Sequence, residues 1–248
     1  MKHELEGHTV QRYDGELNTL HLRTLEMGGL ALSQLQVALK ALRDSDTAAA
    51  ATVIEREPTL DRLEVTTDDE IASVIARRAP VAKDLRVIIA FSKAITDMER
   101  IGDEAARIAF IVEAVLKRPR SHLSKSMLRD IFHMGDKAIT MLQDAMTALD
   151  NLDLDQAEAM MSRRDDLDDE FQSGLRKQAT FVLEDPRNVG QTINTVLIMK
   201  ALERIGDHAR NLCEYVIYLV KGEDVRHRVG RMAHGTPPVP DDGNWDAN

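Results

Sequence analysis

The chain has 248 residues, 42 acidic against 32 basic side chains, a formal charge of −10 and 4% aromatic residues. That charge disfavours nucleic acid and anionic membrane as partners. Few aromatics and only 13 glycines and 7 prolines, against abundant Ala, Leu, Ile, Val, Met and charged residues, exclude a sheet-dominated fold and point to long helices. The single cysteine, Cys213, has no partner for an internal disulfide and fits a reducing compartment. The opening Met-Lys-His-Glu-Leu-Glu is charged and is followed by no apolar run. No stretch approaches the ~20 apolar residues that span a bilayer. A soluble cytoplasmic protein without signal peptide or membrane segment is expected.

Apolar periodicity predicts six helices. The first, over 14–43, has an apolar face of Leu17, Leu20, Leu25, Leu32, Leu35, Leu39 and Leu42. Asp44-Ser45-Asp46 ends it and caps the second, over 47–77. Pro58 lies inside the second helix, so a bend there or a break just before it is expected. Ala79-Pro80 makes a turn, the third helix covers 82–117, and Pro119 closes the unit. A fourth helix over 124–149, a turn at 151–153, a fifth helix over 154–183, a turn at Glu184-Asp185-Pro186 and a sixth helix over 188–221 repeat the plan. The boundaries follow: a first three-helix repeat at 1–119, a second at 120–222, and a Pro-containing tail without periodicity at 223–248 that reads as disordered. The expected fold is all-α, two antiparallel three-helix bundles in tandem.

The repeat is written in the residues. Glu99-Arg-Ile-Gly-Asp103 recurs 104 positions later as Glu203-Arg-Ile-Gly-Asp207. Asp46 and Asp153 match at an offset of 107 and Pro80 and Pro186 at 106, so a small deletion in the region of the fifth and sixth helices separates the copies. The third helix carries a seam of Ile88, Phe91, Ile95, Met98, Gly102, Ala105, Ala109, Val112 and Leu116, and the sixth one of Met199, Leu202, Gly206, Ala209, Cys213, Val216 and Val220. Spacings of three and four make these coiled-coil-like. Each acid of the repeated pair stands one residue after a seam position, on the shoulder between core and solvent. The glycine between them costs roughly 1 kcal/mol against alanine in a helix interior, which close approach of a neighbouring helix would explain.

The middle helices add acids. Glu57 and Asp61 stand four apart near mid-helix, so antiparallel packing can set them opposite Glu99 and Asp103. In the second unit Asp168 matches Asp61, but Arg164 stands where Glu57 would. Two facing carboxylate pairs offer hard oxygen ligands suited to Mg²⁺, Mn²⁺, Ca²⁺ or iron. The plainer alternative is a solvated face in which these acids pair with neighbours such as Arg100 and Arg107. No histidine has a glutamate three residues before it, which argues against a ferritin-like di-iron site. Nucleotide-binding and acyl-transfer motifs are absent, so no catalytic residue is assigned. His208 reads as a surface or core-edge residue, and Cys213 as a small core residue. Met127, Met134, Met141 and Ala145 read as the core face of the fourth helix or as a face for a second copy.

Together these features resemble the PhoU family of bacterial phosphate-uptake regulators. The resemblance rests on both Glu-Arg-Ile-Gly-Asp copies, Met27-Gly-Gly29, Val53-Ile-Glu-Arg-Glu57 leading to Asp61, and Pro80-Val-Ala-Lys-Asp-Leu-Arg86. Asn211-Leu-Cys-Glu-Tyr215, running into Tyr218-Leu-Val-Lys-Gly222, completes it. It implies the same tandem-bundle fold and a negative regulator of the phosphate-starvation (Pho) regulon. Such a protein links the PstSCAB phosphate transporter to the PhoR–PhoB two-component system, with the PstB ATPase and the PhoR kinase as partners. It also implies a cytoplasmic homodimer that meets the membrane only through those partners. The family's acidic motif binds metal clusters in some members, which implies a divalent or ferric metal (Mg, Mn, Fe or Zn) here; by position the motif falls on Glu57, Asp61, Glu99 and Asp103, then on Asp168, Glu203 and Asp207. Either Asp165 stands in for the ligand missing at Arg164, or the Arg164 cation neutralises the second cluster without metal. The alternative is a metal-dependent catalyst or a metal store built on the same carboxylates.

Overall fold

The computed structural model describes residues 11–117, 123–162 and 166–223. The α-helices are α1 (Gln11–Asp44), α2 (Thr47–Arg78), α3 (Ala82–Leu116), α4 (Lys125–Asn151), α5 (Leu154–Ser162), α6 (Asp166–Glu184) and α7 (Val189–Lys221), with a 3₁₀ turn at Pro186–Asn188. Stretches α5 and α6 together occupy the place of the predicted fifth helix, on either side of 163–165, which lie outside the described residues. Pro119 and the segment beyond 223 also lie outside them. The chain is all-α, with α1–α3 forming one antiparallel bundle and α4–α7 its repeat.

Local chemistry sets the helix ends. The Asp46 side chain accepts from the amides of Ala48 and Ala49 and so starts α2, and Asp153 accepts from Gln156 at 3.0 Å to start α5; both satisfy first-turn donors. Ala79 (φ 45°) and Leu152 (φ 50°) turn left-handed to stop α2 and α4. Gly222 (φ 76°) does so for α7, with the Arg86 guanidinium packed where a Cβ would sit and lying 5.9 Å from the Tyr218 ring. Glycine is favoured there by its φ, and the guanidinium fills the space that its missing side chain leaves. The break considered at Pro58 does not occur: α2 runs through it unbroken. One lost N–H bond is tolerated because Val53 and Leu60, each 1% exposed, clamp the helix on either side.

The predicted seams are the core. Ile88, Phe91, Ile95, Met98, Gly102, Ala105, Ala109 and Val112 of α3 are buried, as are Met199 through Val216 of the α7 seam. Val220, expected to continue that seam, is exposed, and its neighbour Leu219 is buried instead. Met127, Met134 and Ala145 are fully buried and Met141 packs against them. That face of α4 therefore belongs to the interior and is not free to receive a second copy. Cys213 is buried as expected; burial pushes its thiol up to about 12, and it donates to the Met160 sulfur at 3.3 Å.

The two bundles share one core. Helix α3 packs on α7, and α1 on α4. The latter contact is pseudo-symmetric: a Cβ on Gly28 would meet Met146, and one on Gly135 would meet Leu39. The offset of 107 carries Gly28 onto Gly135 and Leu39 onto Met146, so duplication built this contact twice. The α3–α7 contact is polar at its centre. The buried Asp97 carboxylate accepts from Tyr215 at 2.6 Å and Asn211 at 3.1 Å, and lies 2.7 Å from His208 Nδ1. Glu104, 2% exposed, pairs with Arg204 at 2.8 Å.

Candidate metal centre

Glycine is what lets α2 approach α3 beside the acids. A Cβ on Gly102 would stand 2.3 Å from Leu60 Cδ1, and one on Gly206 would stand 2.5 Å from Leu167 Cδ1. Leu60 and Leu167 are themselves 107 apart. The repeated glycine is thus the hole for a repeated leucine knob, as its place inside an apolar seam suggested. Leu60 adjoins Asp61, so seating the leucine brings the acids of α2 to those of α3.

Hydrogen bonds fix the register. Ser92 donates to Asp68 at 3.4 Å, and Thr96 donates to Glu64 at 2.9 Å. One turn further along, Asp61 lies beside Glu99, and Glu57 beside Asp103. One carboxylate oxygen each from Glu57, Asp61 and Asp103 lie within 4.8 Å of one another. Asp61 Oδ1 and Glu99 Oε2 are buried and accept no hydrogen bond. Among the described residues, the cation paired with these acids is Arg100, with Nε 3.3 Å from Glu99 Oε2 in poor hydrogen-bond geometry and a second nitrogen 3.6 Å from Asp103. Arg107, expected to help neutralise these acids, instead lies 3.6 Å from Glu104.

The carboxyls register this crowding. Glu99 is pushed up to about 7, first by burial, then by Asp103, with Arg100 opposing and Glu64 and Asp61 adding. Glu57 is raised by burial, Asp61 and Asp103. Carboxylates gathered with one weak counter-charge and two orphaned oxygens fit a hard cation. With no histidine or cysteine among them, the donor set suits Mg²⁺, Mn²⁺ or iron better than Zn²⁺.

Glu64 and Thr96 were not singled out from the sequence. Glu64 was legible, since Glu57, Asp61 and Glu64 are spaced four and three and so share one helix face. Thr96 carried no signal of its own.

The second unit is built differently. Glu203 is buried and forms an ion pair with Lys200. Asp168 and Asp207 are exposed, yet protein atoms packed round the Asp207 carboxyl raise its pKa. Glu203 and Asp168 raise it further, while Lys200 and His208 lower it. Asp165 and Arg164 lie outside the described residues. Among the described residues, only Glu57, Asp61 and Asp103 bring three ligating atoms together. His208, read as a core-edge residue, lies between the units against Asp97. Asn211 and Tyr215, quoted above as part of a motif, serve the same buried carboxylate.

Known proteins match the chain in sequence and in fold. The sequence model of the PhoU domain matches residues 24–112 and 131–216. A Pseudomonas putida protein named phosphate-specific transport system accessory protein PhoU homolog is 38% identical over 229 residues, covering 91% of this chain and 87% of its own length. The crystal structure of PhoU from Pseudomonas aeruginosa is similar with a TM-score of 0.81 at 36% identity, over 85% of this chain and all of that one (100%). The phosphate transport system regulatory protein PhoU from Streptococcus pneumoniae is similar with a TM-score of 0.77 at 26% identity, over 86% of this chain and 98% of that one.

Proposed function

Because the chain belongs to the PhoU family, we propose that it is a non-catalytic, cytoplasmic regulator of phosphate uptake that dampens the Pho regulon when phosphate is plentiful. In this reading it links the PstSCAB transporter, through the PstB ATPase, to the PhoR–PhoB two-component system. The observation that carries it is the family match across both helical units, with relatives named as accessory and regulatory proteins of phosphate transport. No helix among the described residues is long and apolar enough to cross a membrane, consistent with reaching the membrane through partners. A homodimer is part of the proposal, and its contact surface lies away from the α4 methionine face, which the core already uses.

Metal is the second part. Glu57, Asp61, Glu99 and Asp103 would hold a divalent or ferric ion, which supplies positive charge where four carboxylates repel. The residues themselves tie α2 to α3 and fix their register, a structural or regulatory role. The two orphaned oxygens and the raised pKa of Glu99 support it.

Gene deletion tests the regulatory reading. The strain should express alkaline phosphatase constitutively in high phosphate, and normal repression there would rule the reading out. Melting temperature against Mn²⁺, Mg²⁺ and Fe³⁺ tests the metal. Wild type and Glu203→Gln/Asp207→Asn should be stabilised, while Glu99→Gln/Asp103→Asn should not. An equal response in all three would mean that the acids are a solvated face.

A further inference from the structure

Superposing the two units through their own offsets shows a paired exchange beside the acids. The shift of 104 that carries Glu99 and Asp103 onto Glu203 and Asp207 carries Thr96 onto Lys200. The shift of 107 that carries Asp61 onto Asp168 carries Glu64 onto Phe171. In the first unit this corner is a hydroxyl donating to a carboxylate, Thr96 to Glu64 at 2.9 Å. In the second it is an ammonium over an aromatic ring, with Lys200 Nζ 5.2 Å from the Phe171 centroid. The first unit therefore has one more acid at this corner, and the second has a cation where the first has a neutral side chain.

The two changes act together. The ring face attracts the ammonium and replaces an acid that would otherwise draw it away from Glu203. Held there, Lys200 pairs with Glu203, which is only 8% exposed. Arg204, the counterpart of Arg100, is not the neutralising charge, because it reaches across to Glu104 at 2.8 Å.

We propose that the Lys200 ammonium, seated on Phe171, is a tethered cation for the second acidic pair, filling by a side chain the role that the first unit leaves to a metal ion. Lys200 is then the residue that decides which unit takes metal. This inference rests on the metal reading of the first unit. A side-chain cation cannot be chelated or exchanged, so the second unit keeps its register when metal is withdrawn and only the first responds to metal supply.

Two measurements decide it, and they fail separately. The first is a metal-free cycle in EDTA with Lys200→Met, Glu203→Gln and the double variant, read by melting temperature. Lys200→Met should lower the melting temperature, and adding Glu203→Gln should recover most of the loss, since the orphaned charge is then gone. Additive losses would overturn the counter-ion. The second is equilibrium dialysis against Mn²⁺ with wild type, Lys200→Met and Thr96→Lys. Lys200→Met should double the metal bound per chain, and Thr96→Lys, which installs the lysine at the exposed Thr96, should abolish it. Unchanged binding in Lys200→Met, or metal already bound by both units in wild type, would refute Lys200 as the determinant. No binding in wild type would instead refute the metal reading of the first unit, and the EDTA cycle would still decide the role of Lys200.

Discussion

Removing one charge from the first acidic cluster should stabilise the metal-free protein at neutral pH. Glu99 in the folded chain titrates near about 7 rather than the ordinary 4.5, so between those values the folded state holds a proton that the unfolded state has released. Stability therefore falls as pH rises from 4.5 to 7, and levels off above. At about 1.4 kcal/mol per pH unit the full penalty of ionisation is at most about 3.5 kcal/mol. Neighbouring water screens part of it, leaving about 1–2 kcal/mol. Glutamine has the same shape and no charge to lose, so Glu99→Gln in EDTA should lack this decline. At pH 8 it should melt roughly 2–8 °C above wild type, taking 2–4 °C per kcal/mol for a chain of this size. The assay is thermal unfolding by circular dichroism from pH 4.5 to 8.5, taken as the difference between the two proteins so that other titrating groups cancel. Metal reverses the order. At a hundredfold excess over Kd a ligand that binds only the folded state adds about 2.7 kcal/mol, which wild type gains and the variant does not. Parallel pH profiles, or a variant less stable than wild type at pH 8 without metal, would refute the assignment of Glu99 as a buried, poorly compensated carboxyl.

Two further perturbations test the frame that holds the cluster. Gly102→Ala places a methyl 2.3 Å from Leu60 Cδ1; overpacking of about 1–3 kcal/mol outweighs the helix gain of about 1 kcal/mol. A net loss of about 1 kcal/mol in urea unfolding is expected, with Gly102→Ala/Leu60→Ala losing less than the sum of the two single changes. Asp97→Ala strips the shared acceptor from Tyr215 and Asn211 and the partner of His208, and should cost about 2–4 kcal/mol. Hydrogen exchange should then quicken in α3 and α7 before α2, and uniform protection loss would mean that Asp97 is not the tie between units.

The fold was legible because each helix announces itself locally. Alternating spacings of three and four, capping aspartates at 46 and 153, and proline turns at 80 and 186 set the boundaries without reference to anything distant. At Pro58 a bend and a break were both open, and the helix does not break. A proline penalty is local, whereas the burial of Val53 and Leu60 that overrides it is a property of the assembled bundle. Val220 erred in the other direction, since near the end of α7 Leu219 takes the buried position that the spacing assigned to its neighbour. Asp97 was illegible for a third reason. An acid inside an apolar stretch carries no mark of its partners, and His208, Asn211 and Tyr215 stand more than a hundred residues away on a helix of the other unit.

The site was legible to the extent that duplication could be read as an experiment already performed. What the two copies keep reports what the bundle needs: Glu-x-x-x-Asp, the glycine between, and the leucine that fills the glycine's hole. What they change reports what each copy does. Reading only the repeated acids makes the units look alike apart from Arg164. Reading the neighbours at the same offsets separates them, because Glu64 adds an acid to one cluster and Thr96 brings no charge, while Lys200 on Phe171 brings a cation to the other. The sequence contained that difference, but its meaning needed the antiparallel register. Only once Thr96 stands opposite Glu64, and Lys200 opposite Phe171, do two unrelated-looking substitutions become one exchange of a carboxylate's surroundings. Crowded carboxylates must be neutralised by protons, a bound cation or a tethered one. Both units keep a raised carboxyl, Glu99 in the first and Asp207 in the second, but only in the second does a lysine of the chain pair with the buried glutamate.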